Sequence, residues 1–97
     1  ALTDQGRINL KNLRFAEDDR PIDPEFVHPL TERYSRAYVR HLLVTNEPTA
    51  GRIITLHNLA WLADLTARMR SAIAAGTFED LRRQVWAVWA PDESPDD

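Results

Sequence analysis

Arg33-Tyr34-Ser35-Arg36-Ala37-Tyr38-Val39-Arg40-His41-Leu42-Leu43 is the stretch whose reading decides the fold. No glycine or proline interrupts it, and its residues are good or tolerable helix formers, so it predicts one helix of about three turns, from about 32 to 45. At roughly 100° per residue its side chains sort into three faces. Arg33, Arg36 and Arg40 share one edge. Tyr34, Tyr38 and His41 follow the i, i+4, i+7 spacing and make a second stripe. Ser35, Val39, Leu42 and Leu43 make an aliphatic third side. A surface helix needs one apolar face and one solvated face. The basic edge and the aromatic strip are therefore surplus to folding.

Upstream, Gly6 introduces an alternating run from Arg7 to Leu13, which predicts a short strand with Ile8 and Leu10 facing one way. Pro21 and Pro24 exclude helix and give a stiff, extended connector, in which the adjacent Asp18 and Asp19 read as a solvated turn. Phe26, Val27 and His28 form a short apolar patch, and Thr31 stands where an N-cap belongs. Asn46 and Pro48 end the first helix. Downstream, a second helix is expected from about Gly51 to Ala75. Its seam runs through Ile54, His57/Asn58, Leu62, Leu65, Met69 and Ala72/Ile73. Gly76 suits a C′ position, and Thr77 with Asp80 makes a weak capping box for a third helix that buries Phe78, Leu81, Val85, Val88 and Trp89. Trp61, Trp86 and Trp89 read as packing. Pro91 stops the helix before an acidic tail expected to be disordered. The chain thus reads as mainly α with a short β start: a segment at 1–50, closing helices at 51–90 and a tail at 91–97.

With 97 residues, 43% of them hydrophobic and 28% charged, the chain suffices for one small core. It shows no membrane-spanning run and no secretory leader, so no membrane partner is expected. Ala1 stands first, which leaves a processed product and an excerpt of a longer chain both open. The lack of cysteine excludes disulfides and fits a cytoplasmic location. The net charge of −3 argues against generic nucleic-acid binding and against DNA as a partner. However, Asp92, Glu93, Asp96 and Asp97 carry more than that charge, and without them the balance becomes +1. A modest arginine surface can still position a phosphate backbone. No Gly-rich phosphate loop, Ser/His/Asp set or paired-carboxylate spacing stands out, and no catalytic residue is assigned.

Gly6-Arg7-Ile8-Asn9-Leu10-Lys11-Asn12, Phe15-Ala16-Glu17-Asp18, Arg20-Pro21-Ile22-Asp23-Pro24-Glu25, Tyr34-Ser35-Arg36-Ala37-Tyr38, Arg40-His41-Leu42 and Leu56-His57-Asn58-Leu59 follow one another in an order that resembles the C-terminal region of a bacterial tRNA-guanine transglycosylase. The resemblance covers Leu2 to roughly Val85. It implies the last part of a (β/α)8-barrel enzyme that exchanges guanine for a 7-deazaguanine base in the tRNA anticodon loop, in the queuosine pathway. The family's two catalytic aspartates match nothing in this chain, so the chain alone is expected to be inactive. Family enzymes are typically homodimers, and Tyr34, Tyr38 and His41 occupy places matching that interface. The alternative for these three is half-buried packing beneath the closing helix. Arg33, Arg36 and Arg40 are candidates for tRNA phosphate contact, or simply a solvated edge.

The family also carries a small zinc subdomain, with ligands in the pattern C-x-C-x-x-C and a later histidine. Here the three cysteine positions read Phe26, His28 and Thr31, and only the histidine survives, as His57. One reading keeps a metal on His28 and His57 with Glu25 or Glu32. The other makes His57 a core histidine hydrogen-bonded at one nitrogen and His28 a surface residue. The second is the expectation, with no zinc and no other cofactor, because two imidazoles and one guessed carboxylate make a poor closed site. A structural zinc contributes about 10–16 kcal/mol in small peptides, and burying one phenylalanine only about 1.5–3 kcal/mol. The segment must then lean harder on its helices or be looser than in its relatives. Three functions are compatible with these residues: the dimerising, tRNA-seating part of a transglycosylase, a non-catalytic partner subunit related to it, or an independent helical interaction module.

Overall fold

A computed structural model describes residues 1–29 and 31–90; the expected acidic tail and Pro91 lie outside the described residues. Strands β1 (Leu2–Thr3) and β2 (Gly6–Arg7) come first, then a 3-10 turn at Leu13–Phe15 and helices α1 (Arg36–Val44), α2 (Pro48–Ala75) and α3 (Phe78–Trp89). The described chain is mainly helical with a short β start, as the sequence predicts. No described helix is long and apolar enough to cross a membrane.

The strand expected over Arg7–Leu13 forms only at its start. There β1 and β2 pair antiparallel, Leu2 opposite Arg7 and Thr3 opposite Gly6, and Gly6 takes a φ of 112° that a side chain would strain. Past Ile8, Asn9 and Asn12 turn the chain by accepting hydrogen bonds from the Lys11 and Arg14 amides at 3.1 and 3.0 Å. Leu10 is buried all the same, and Ile8 packs beside it. The alternation reports burial, not pairing.

Helix α1 starts four residues later than expected, and Ser35, not Thr31, is its N-cap. The amides of a helix's first turn lack intrahelical partners; here Arg36, Ala37 and Tyr38 each find one, and Val39 makes the first intrahelical bond. Arg36 donates to the Arg20 carbonyl at 2.9 Å and Ala37 to the Asp18 carbonyl at 2.8 Å; Tyr38 donates to Ser35 Oγ at 3.1 Å and Val39 to the Ser35 carbonyl at 3.0 Å. Two of those acceptors come from the distant proline-bounded connector. The preceding residues are tied off separately, with the Thr31 and Glu32 amides both donating to the His28 carbonyl.

Asn46, at φ 61°, ends α1 as expected, with Glu47 N–H reaching the Leu42 carbonyl at 2.8 Å. Pro48 opens α2, where its missing N–H costs nothing. Gly76, at φ 75°, closes α2, and the Thr77 amide reaches back to the Ala72 carbonyl at 2.8 Å. Thr77 holds the N-cap place of α3, but its side chain makes no cap hydrogen bond, so the expected capping box is not formed.

The core gathers Leu10, Phe15 and Ile22 from the irregular segment, Val39 and Leu42 from α1, and Ala50 and Ile53 from α2. Further along α2, Trp61 is buried with its ring tilted on Trp89, centroids 5.7 Å apart. The buried face of α2 is therefore Ala50, Ile53, His57, Trp61 and Ala72, which shares only His57 and Ala72 with the predicted seam. Leu62, Met69 and Ile73 from that seam join Leu59 on a different face, where Leu59 is 60% and Ile73 64% exposed. Helix α3 buries its predicted face only in part: Phe78, Leu81, Val85 and Trp89 are half-buried, and Val88 is exposed.

A helix that is apolar on two faces and covered on one should stick to something. The isolated chain is expected to self-associate and to melt broadly, with a midpoint that depends on concentration, and Leu62→Lys with Ile73→Lys should reduce the association. Sedimentation velocity checks this. A monomer with a sharp, concentration-independent melt would contradict it.

Candidate functional site

Arg36 is the residue around which the irregular segment closes. It is buried, its Nε donates to the Ile22 carbonyl at 3.0 Å, and its Nη1 lies 3.2 Å from Asp18 Oδ2. Its guanidinium also sits 5.3 Å from the centre of the Phe15 ring, close enough for cation–π attraction. Asp18 is not the solvated turn its neighbours imply. Its carboxylate is mostly covered and takes three hydrogen bonds from Arg20, from the backbone amide at 3.1 Å, Nε at 3.0 Å and Nη2 at 2.8 Å. Those Arg20 bonds, with help from Arg36, hold the Asp18 carboxyl far below its ordinary value of 3.8, against desolvation that pushes the other way.

The predicted basic edge is consequently not one surface. Arg36 is used inside the fold, and this corrects its assignment as an RNA-contacting residue. Arg40 is half-buried, with Nε donating to the Asn12 carbonyl at 3.2 Å. Arg33 is exposed and lies 5.3 Å from the Tyr34 ring centre. The aromatic strip is brought together more tightly. Tyr34 and Tyr38 stack with centroids 5.9 Å apart and planes 13° from parallel; Tyr38 is 46% exposed, and His41 is exposed one turn on.

Three of the four positions singled out for a lost metal site come together. Phe26 lies 6.2 Å from the His28 ring and 6.1 Å from the His57 ring, the latter edge-to-face. Thr31 is buried. His57 is buried too, and its Nε2–H donates to the Leu2 carbonyl at 2.6 Å. Burial pushes the His57 imidazole below its ordinary pKa, favouring the neutral ring. Glu25 and Glu32, the carboxylates considered as partners, are exposed. Among the described residues, no group of three or more His, Cys, Asp or Glu side chains is placed to hold a metal ion.

A family profile described as queuine tRNA-ribosyltransferase matches residues 1–91. The chain belongs to that family. It is 41% identical over 95 residues to the queuine tRNA-ribosyltransferase of Rhizobium meliloti (strain 1021), covering 98% of this chain and 25% of that protein. To the enzyme of the same name from Caulobacter vibrioides it is 47% identical over 83 residues, 86% of this chain and 22% of that one. The Nitratidesulfovibrio vulgaris enzyme gives 42% over 91 residues. The chain thus spans about a quarter of the length of these queuine tRNA-ribosyltransferases.

Several residues that organise this family segment escape a reading by motif. Asp23 is fully buried and accepts from the Asp4 amide at 2.8 Å and the Glu25 amide at 2.9 Å, tying the hairpin turn to the Pro24 loop. Asp4 in turn accepts from Trp61 Nε1 at 2.9 Å, and Asn58 Oδ1 accepts from the Leu2 amide at 2.9 Å. His57 and Asn58 are therefore polar partners of Leu2 in β1, and Trp61 of Asp4 in the turn that follows it, along one side of α2. The only sequence signal for this was their near-helical spacing.

The Asp18 shift has a direct consequence for stability. A carboxyl whose folded pKa lies below its unfolded value contributes stability that is fully present above the unfolded pKa and lost as pH falls toward the folded one. Stability should therefore decline on acidification from about pH 4 downward, and Asp18→Asn should flatten that decline while lowering stability at neutral pH. Urea unfolding between pH 2 and 7 checks both; a wild-type and variant pair with parallel pH profiles would contradict the assignment.

Proposed function

We propose that this chain is the C-terminal part of a tRNA-guanine transglycosylase, an enzyme that exchanges guanine for a 7-deazaguanine base in the tRNA anticodon loop. In this reading the chain supplies assembly and substrate seating, not chemistry. The observation that carries it is the exposed Tyr34–Tyr38 stack. Two near-parallel rings, Tyr34 packed in part against the core and Tyr38 46% exposed, make a preformed aromatic surface with His41 exposed alongside. Large, rigid, amphipathic side chains of this kind dominate protein interfaces. A second copy of the enzyme is the partner proposed for it.

The tRNA role rests on Arg33 first and Arg40 second, since Arg36 is committed to Asp18 and Ile22. Arg33 is exposed beside the Tyr34 face, where its charge remains available to a phosphate. The exposed Leu59, Leu62, Met69 and Ile73 face fits a helix that closes against the remainder of such an enzyme. No side-chain arrangement among the described residues favours a catalytic role, and the proposal places the reacting groups elsewhere in the protein.

In the whole transglycosylase, Tyr38→Ala is expected to weaken dimerisation by about 2 kcal/mol or more, at least tenfold in the dissociation constant, with secondary structure retained. Arg33→Ala is expected to leave the dimer intact, weaken tRNA binding and shallow its salt dependence by about one unit of slope. Analytical ultracentrifugation and filter binding at several salt concentrations measure these. An unchanged dimer with a collapsed fold in Tyr38→Ala would make the strip part of the core and end the dimer assignment.

A further inference from the structure

The zinc that the family resemblance implies does not fit the residues present here. Phe26 has no donor atom and Thr31 offers only a hydroxyl, which leaves the imidazoles of His28 and His57 as the strong ligands at these four positions. A closed structural zinc site takes four ligands, drawn from thiolate, imidazole and carboxylate, and no qualifying group of three exists among the described residues.

The geometry points to a substitute. We infer that a ring cluster of Phe26, His28 and His57 has replaced the metal in this chain, so that the loop following Asp23 is fastened to α2 without zinc. Three observations carry this inference. First, the rings of Phe26 and His57 meet edge-to-face at 6.1 Å and those of Phe26 and His28 at 6.2 Å, within the 4.5–7 Å range of attractive aromatic pairs. One apolar ring thus touches both imidazoles at the positions where ligands would have converged.

Second, His57 is held as a ligating histidine would be, with a ring N–H donated to a backbone carbonyl. That bond outlives the ligand role because it satisfies the Leu2 carbonyl in β1, and His57 is 1% exposed. Third, the loop is tied at both ends by bonds that need no metal. The buried Asp23 carboxylate accepts from the Glu25 and Asp4 amides, and its carbonyl accepts from the Phe26 amide at 3.1 Å. At the far end the Thr31 and Glu32 amides close on the His28 carbonyl at 2.9 and 2.8 Å. Thr31 is itself buried, so the third thiolate position has become packing.

Elemental analysis and thermal unfolding of the 97-residue chain, in EDTA and in added zinc chloride, test the inference, with Phe26→Ala run alongside. The expected result is far less than one zinc per chain and a thermal midpoint indifferent to EDTA or zinc. Phe26→Ala should lower that midpoint by about 4–8 °C, or more, in EDTA. About one tightly held zinc per chain with an EDTA-sensitive midpoint would overturn the inference, and so would a Phe26→Ala midpoint equal to that of the wild type.

Discussion

Burying a guanidinium is costly unless an anion and several acceptors go with it, and Arg36 has all of these. The Asp18 carboxylate, the Ile22 carbonyl and the face of Phe15 surround its head group, while its own backbone amide is anchored on Arg20. Because Asp18 and Arg20 also supply the carbonyls that receive the first two amides of α1, one stretch of connector both neutralises the arginine and starts the helix. Losing one partner of such a pair typically costs about 3–5 kcal/mol. The pair is better read as a device that fixes where α1 begins and how it is rotated. That rotation sends Val39 and Leu42 into the core and leaves Tyr38 at the surface, stacked on Tyr34.

The same constraint explains how a small chain manages with little regular structure in its first half. Its stays are mostly polar and long-range: Asp23 to the hairpin turn, Asp4 to Trp61, Asn58 and His57 to β1. Each satisfies a group that would otherwise be left without a partner near the core, where an unmade hydrogen bond costs about 1–3 kcal/mol. The ring cluster at Phe26 adds apolar contact at the place where relatives of this family are expected to use a metal. One aromatic side chain contributes far less than a zinc ion. It suffices only because the ends of its loop are tied independently.

Much of this was legible from the residues, and the misses share a cause. Asn46 and Gly76 announce their turns because left-handed backbone is a local demand, and both are found there. The start of α1 was misplaced because Thr31 and Ser35 are equally plausible caps by local rules. The choice falls to Ser35 only when the distant Arg20 and Asp18 carbonyls reach the first turn. Arg36 was grouped with Arg33 and Arg40 because helical periodicity sorts side chains by angle and says nothing of which angle faces inward. The seam of α2 was misjudged for the same reason, since that helix is apolar on two faces and sequence alone does not say which one its own chain covers. The metal positions follow from the family resemblance, but the contact of Phe26 with His28 and His57 requires the folded geometry.

Whether the Asp18–Arg36 clamp, with no metal, sets the start of α1 is most directly tested by amide hydrogen exchange at Arg36 and Ala37 in the presence of EDTA. These two amides are predicted to be protected in the wild-type chain and to lose protection by about tenfold or more in Asp18→Asn, because their acceptors lie on the segment that Asp18 anchors. Fast exchange in the wild-type chain that slows only when zinc is added would contradict the account.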